Sequence, residues 1–356
     1  MTDRRAFLKT LAGTAPAILL NPFPVLSAEI NHAEPVDIGE VRSLDIRCVS
    51  ETGWFDTGII AGDVRKAGGP GINQYGIPFT AENSGGYSAL ITVENLNGNK
   101  SRYLLDSGWG NDWMDYAFRK SGVDAYLEQN RIKGLILSHD HNDHFWGIES
   151  TLKHCPDIPL YYPATFHKKS INLLDGADYS SVPGNPRNRF PHKGPRTPVK
   201  PGELCMLQPG FAVVDFDVDI PLGVRGECAI YVKVKDKGYV VITGCGHPGI
   251  CSLFDFAAAR LKGGQNIYGC YGGLHIAPFE RWEPRMQASI ECMKDAGIKK
   301  VACNHCTGRI WVEKAMNAGL PVVQGTDAFR SYYRISTAAL KGGANPYIGN
   351  GDSIVF

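Results

Sequence analysis

The chain has 356 residues, 43% of them hydrophobic and 21% charged. That balance excludes a disordered or fibrous chain and allows one large domain or two medium ones. Lys and Arg number 37 against 36 Asp and Glu, so no global charge argues for nucleic acid or an anionic membrane as a partner.

In chain order, the first element is not part of the fold. Thr2-Asp3-Arg4-Arg5-Ala6-Phe7-Leu8-Lys9 resembles a twin-arginine signal, and the apolar stretch 11–20 behind it is too short to span a bilayer as a mature helix. Residues 1–28 are expected to be a signal peptide, with Ser27-Ala28 as a cleavage edge and Leu26 bulky for that place. The mature protein is expected to be periplasmic or otherwise exported, with no stable membrane span. Proteins exported by this route travel folded, which predicts few disulfides among ten irregularly spaced cysteines and a metal or cofactor loaded beforehand.

The remaining elements alternate between strands and helices. Residues 87–94 and 102–105 flank Asn97-Gly98 and predict a hairpin. Helical spacing follows at 112–129, then a short buried strand at 133–138, then a helix at 146–153. Residues 163–210 are rich in Pro, Gly, Lys and Arg and predict a lid-like excursion. Strands return at 212–218, 229–234 and 239–243, with a turn at 235–238. Helices at 250–261 and 281–295 and strands at 266–271, 300–303 and 321–323 complete the pattern. It predicts an α/β fold of two sheets covered by helices.

The chemistry concentrates at 137–147, LSHDHNDHFWG, which holds three of the ten histidines directly behind an apolar strand. Alternate residues of an extended segment share a face, so His139 and His141 can grip one ion. A turn after Asn142 lets Asp143 and His144 face a second. Imidazole and carboxylate suit zinc and tolerate iron or manganese.

H-x-H-x-D-H after a short strand resembles the signature of the metallo-β-lactamase superfamily. Leu104-Leu105-Asp106-Ser107-Gly108 resembles its strand-end Asp-Ser/Thr-Gly element, in which the acid orients a metal-binding histidine. Thr243-Gly244-Cys245-Gly246-His247, Gly272-Gly273-Leu274-His275 and His305-Cys306-Thr307-Gly308 resemble a narrower, dihydropteroate-synthase-like branch. That branch is related to 7,8-dihydropterin-6-yl-methyl-4-(β-D-ribofuranosyl)aminobenzene 5′-phosphate synthase. The resemblance runs from about Leu44 to the C-terminal residues. It implies an αββα sandwich over 40–356, two mixed β-sheets flanked by helices, with metals at the sheet edges.

The superfamily's common pattern adds a histidine before a strand pair, a bridging acid after it and a final histidine after a later strand. Here 219–227 contains no histidine, and Cys245 stands at the acid's place. The resemblance therefore implies His247 as replacement imidazole, His305 as the final ligand, and Cys245 as thiolate ligand or strand-end filler. His275 is a ligand or a substrate contact. Cys303 and Cys306 form a C-x-x-C with no second pair to complete a four-cysteine site. His32, His154, His167 and His192 read as surface residues.

The resulting expectation is an exported hydrolase holding one or two zinc ions. It would use a metal-activated water on an ester, lactone or phosphoester, with Asp143 and His275 catalytic. The alternatives are transferase chemistry of the dihydropterin-linked branch and a non-catalytic metal-binding module. The partner is a small molecule, anionic if Arg187, Arg189, Lys193, Arg196 and Lys200 fold over the metals. Trp109, Trp113 and Trp146 either wall a pocket or pack.

Overall fold

A computed structural model describes residues 34–51, 85–182, 185–278, 281–326, 328 and 347–356. The expected signal at 1–28 and His32 lie outside them. Residues Pro35–Phe356 form one compact unit. In chain order the elements begin with β1 (Val41–Ser50), β2 (Ser88–Asn95), β3 (Lys100–Leu105), α1 (Asn111–Ser121), α2 (Val123–Glu128) and β4 (Leu135–Ile136). Next come α3 (Asn142–Phe145), α4 (Ile148–Leu152), β5 (Leu160–Pro163), α5 (Lys168–Leu174), β6 (Arg196–Val199), β7 (Leu204–Gln208), β8 (Phe211–Ile220) and β9 (Val224–Val234). The chain continues through β10 (Gly238–Thr243), α6 (Ile250–Arg260), β11 (Ile267–Gly273), α7 (Gln287–Asp295), β12 (Lys300–Asn304), α8 (Arg309–Asn317) and β13 (Ser353–Val355).

Three buried clusters define four layers. One lies between the sheet of β8 to β12 and the helices α6, α7 and α8. A second is shared by the two sheets, from Val41, Ile46 and Ile91 on one side to Ile230, Val240 and Ile242 on the other. The third sits between β2 to β5 and the helices α1 to α5. Strand period explains the division: Tyr239 and Val241 face the helices, while Val240 and Ile242 face the other sheet. All six residues of β10 are therefore buried, and each large aliphatic contributes about 1.5–3 kcal/mol by leaving water.

The two sheets are joined. One runs β12-β11-β10-β9 with β8 and β7 beyond; the other runs β1-β2-β3-β4-β5-β6 with β13 on β1. A parallel bridge of Val41 with Val234 links them, so hydrogen bonding is continuous through thirteen strands. The sequence expectation of two sheets describes the layers, and the bridge makes them one bonded network.

The helix expected over 112–129 divides at Gly122, which adopts φ 74 and ends α1. The strand expected at 321–323 reduces to an isolated bridge, Val301 with Val322. Within 163–210, β6 pairs with β5 and β7 with β8. Residues 196–199 and 204–208 of that segment are thus sheet edge, because backbone groups laid against a strand complete its ladder. No helix among the described residues is long and apolar enough to cross a membrane.

Candidate metal centre

The ends of β3 and β4 set the first half of the site. Asp106, buried and at φ 59, follows β3. Its Oδ1 accepts the Ser138 backbone N–H at 2.7 Å, and its Oδ2 accepts the Ser138 hydroxyl at 2.7 Å and His144 Nδ1–H at 2.7 Å. The Ser138 hydroxyl, having donated its proton, accepts from His139 Nδ1 at 2.9 Å. The backbone after β4 is extended, so Asp140 points away from its neighbours and accepts bonds from His167 and Ser170 instead. His141 Nε2 donates to the Pro221 carbonyl at 2.7 Å.

The second half comes from β9 to β12. Glu227, fully buried, accepts backbone N–H bonds from Cys245, Gly246 and His247 and the His247 Nδ1–H, all at 2.7–2.8 Å. Gly244 lets the end of β10 close against the first half of the site, since a Cβ there would collide with the Ser138 hydroxyl and sit 2.8 Å from Asp106 Oδ2. His305 follows β12 at φ 52, its backbone N–H bonded to the Glu51 carboxylate at 3.0 Å. The Tyr87 ring lies 5.4 Å from His144 and 5.3 Å from His305, centroid to centroid, and backs both.

These partners assign the tautomers. His139 and His144 donate from Nδ1, His141 from Nε2 and His247 from Nδ1, leaving one lone pair on each ring. All four lone pairs point inward. His139 Nε2 meets His141 Nδ1 at 2.9 Å, two acceptors with no proton between them. His144 Nε2 lies 3.1 Å from His305 Nε2 and 3.2 Å from Cys245 Sγ. His247 Nε2 is buried with no partner among the described residues. Acceptors held this close need a shared cation, and the donor set fits a metal.

Four groups of ligand atoms each converge within 4.8 Å: His139, His141 and His247; Asp143, His144 and His305; His139, His144 and Cys245; and Cys245, His275 and Cys306. Charge is arranged to match. Burial, reinforced by neighbouring imidazoles, pushes His139 well below the ordinary histidine value, and burial and then His275 bring His247 down to about 4. Burial alone would raise Asp143, but His144 and His305 hold its carboxyl well below the usual carboxylate range. Burial opposes a charge on His305, yet Cys306 and Asp143 raise it to about 10. The space between Asp143 and His305 thus favours a positive charge.

The comparisons agree with this geometry. The description "Metallo-beta-lactamase superfamily" matches residues 83–243. That stretch of the chain, just under half of it, is similar to a metallo-β-lactamase superfamily domain. A 7,8-dihydropterin-6-methyl-4-(β-D-ribofuranosyl)-aminobenzene-5′-phosphate synthase of Methanocaldococcus jannaschii is 25% identical over 264 residues, 66% of this chain and 84% of that protein. A hydroxyacylglutathione hydrolase of Yersinia enterocolitica is 37% identical over 60 residues, 17% of this chain and 22% of that protein. A crystal structure described as a metal-dependent hydrolase of the β-lactamase superfamily shares the fold, with TM-score 0.51 and 18% identity over 78% of this chain and 94% of that one. The superfamily is one of metal-binding enzymes acting on small molecules, with candidate metal-binding groups present here.

Within that superfamily frame, every candidate residue reaches the site. Cys245 lies beside His144, and His247 lies across from His139, with ring centroids 4.9 Å apart. His275 lies against His247 at 4.4 Å. Sequence reasoning missed Glu227 and Glu51. The 219–227 segment supplies the acid that orients His247 where the common pattern has a histidine. Its only sequence signal is a glutamate just ahead of the apolar run 228–232.

Other expectations change. Arg189 is bonded through Nε and Nη2 to Glu149, Arg196 pairs with Asp175, and Lys200 pairs with Glu203. The arginines each have a close carboxylate partner, while the Lys200 pair is long and exposed and leaves its ammonium open to solvent. His192 is buried, bonded to the Ile158 carbonyl and to Arg196. Trp113 packs in the core and donates to the Ser50 hydroxyl at 2.8 Å. Cys303 faces the helix-covered cluster, so the C-x-x-C residues point to different places.

Proposed function

We propose that this chain is an exported metal-dependent hydrolase, with zinc as its resident ion, that cleaves an ester, lactone or phosphoester bond of a small molecule. The observation that carries the reading is the inward convergence of four imidazole lone pairs whose other nitrogens are held by Asp106, Glu227, Ser138 and the Pro221 carbonyl. His139, His141 and His247 would hold one ion, and Asp143, His144 and His305 a second, with Cys245 between them. Bound there, the ions supply Lewis acidity and a water whose proton is lost near neutral pH. Asp143 keeps part of its side chain open to solvent, unlike His144 and His305. Its ionised carboxylate can orient the attacking water. Asp106 and Glu227 hold the ring tautomers, and the buried Tyr87 excludes water behind His144 and His305.

The test is turnover by the metal-replete protein on a panel of lactones, carboxylic esters and phosphoesters, with metal content measured alongside. Hydrolysis that disappears with the metal in His139→Ala is the expected result. A fully loaded protein inert on the whole panel, or activity that survives metal loss, would overturn the reading. The match across 84% of the methanogen synthase supports a second reading, condensation of an arylamine with a pterin diphosphate. Product formation in that assay without hydrolysis would favour it. Export rests on Arg4-Arg5 and is tested by fusing residues 1–40 to a reporter; a reporter that leaves the cytoplasm equally well with both arginines changed to lysine refutes it.

A further inference from the structure

The nitrogen and oxygen ligands do not exhaust the converging groups. We propose that Cys306, with Cys245 and His275, forms a sulfur-bearing metal subsite next to the histidine-rich one, so that Cys306 is itself a metal ligand. The proposal rests on the metal-centre reading above and deepens it by naming the kind of ion: a soft, thiophilic divalent cation.

Ligand atoms of the three side chains lie within 4.8 Å of one another. Zinc held by two sulfurs at about 2.3 Å and a nitrogen at about 2.0 Å needs ligand atoms roughly 3.3–3.8 Å apart, within reach of small side-chain rotations. Both cysteines are buried, Cys245 at 3% and Cys306 at 0% exposure. His275 Nδ1 is buried with no partner among the described residues. Cys306 Sγ also lies 3.4 Å from the Cys245 carbonyl, and two buried thiols converging with an imidazole form a donor set that a soft cation satisfies.

The backbone is built for this meeting. Gly273 ends β11 where a Cβ would lie 2.9 Å from Cys306 Sγ and would strike the Gly244 carbonyl. Only glycine lets the Gly-Gly-Leu-His turn pass this close to Cys306 Sγ and the Cys245 backbone. The Gly273 N–H bonds the Gly244 carbonyl at 3.1 Å, the Leu274 N–H bonds the Thr307 hydroxyl at 3.1 Å, and the Ala277 N–H bonds the Thr307 carbonyl at 3.0 Å. His275 and His305 both sit at positive φ, 45 and 52, which L side chains rarely adopt without compensation. The tight 3-10 turn His305–Thr307 swings Cys306 back toward the site, while Cys303, three residues earlier, remains in the apolar core.

Cys245 joins the two regions. Its Sγ is 3.2 Å from His144 Nε2 and also belongs to the group with His275 and Cys306. A thiolate has lone pairs enough for two ions. Binding requires each thiol to release its proton to solvent, with no change of oxidation state. Two thiolates and one imidazole favour zinc or cadmium over magnesium or manganese.

The full-length protein reconstituted with cobalt(II) tests this. Wild type should show a near-ultraviolet thiolate-to-cobalt charge-transfer band, which falls by about half in Cys306→Ser as one of two sulfurs is lost and vanishes when Cys245→Ser is added. X-ray absorption on the wild-type zinc protein needs no variant and should show a sulfur shell at about 2.3 Å beside the nitrogen and oxygen shell. Cobalt bound without a sulfur band, or a band unchanged by Cys306→Ser, overturns the subsite and leaves the histidine centre standing. Failure of the wild type to bind any cobalt or zinc overturns both.

Discussion

Replacing Glu227 by glutamine isolates the residue that most sets this site's geometry. The carboxylate accepts four N–H bonds at 2.7–2.8 Å, three from the backbone of Cys245, Gly246 and His247 and one from the His247 ring. Glutamine keeps the shape but turns one oxygen into a donor, so two of those four N–H groups face an NH2. Hydrogen bonds to a charged group contribute about 1.5–3 kcal/mol each, so the metal-free protein should lose roughly 3–6 kcal/mol, less whatever the loop recovers by relaxing. His247 also loses the partner that holds its Nε2 lone pair inward. Metal affinity at His139, His141 and His247 should fall by about 10–100-fold. Urea denaturation of the metal-free protein measures the first effect and competition with a chromophoric chelator the second. A denaturation midpoint and an affinity both indistinguishable from wild type would refute the assignment of Glu227 as the residue positioning His247.

Chelation of the loaded protein should lower its melting temperature, and zinc should restore it; free metal at a thousand times Kd stabilises by about 4 kcal/mol, and an unchanged melting curve would count against a native-state site. Asp215 is buried, neither carboxylate oxygen has a partner among the described residues, and burial, then Asp217 and Glu227, raise it to about 7. The folded state therefore binds the proton more tightly than the unfolded one. Stability should fall as pH rises from about 4 to 7 and level off above, a loss of up to about 4 kcal/mol. Asp215→Asn should flatten that slope in denaturation measured across the range, and an unaltered slope rejects the assignment. Gly244→Ala should cost more than about 2 kcal/mol and weaken metal binding, since its Cβ meets Ser138 and Asp106. Gly263→Ala, at φ 77 with nothing within 4 Å, should cost only about 1–2 kcal/mol from backbone strain and leave metal binding intact. Equal losses in the two variants would contradict the close-approach argument.

Local patterning carried a large share of the fold. β2, β3, β8, β9, β10 and α6 stand close to their expected places because apolar alternation, turn residues and helical spacing act over a few residues. β1 alternates only over the short stretch 44–48, where Leu44, Ile46 and Cys48 are buried, because register shifts between Val41 and Ser43 and between Cys48 and Ser50 interrupt the pattern at both ends. β6 and β13 are short edge strands whose partners are distant in sequence, and only the assembled ladder makes them strands.

The same line divides the site. His139, His141, Asp143 and His144 lie within six residues, so an extended segment followed by one turn was enough to place them, and sequence alone reads them as a cluster. Glu227, Glu51 and Cys306 acquire meaning only where β9, β1 and β12 end beside one another, which depends on long-range pairing and packing. Burial decided the rest. It left Glu149 in the interior for Arg189 to reach from the surface, sent Cys303 into the core and turned Cys306 toward Cys245 and His275, because a carboxylate or thiol in a low-dielectric interior takes its role from whatever it touches.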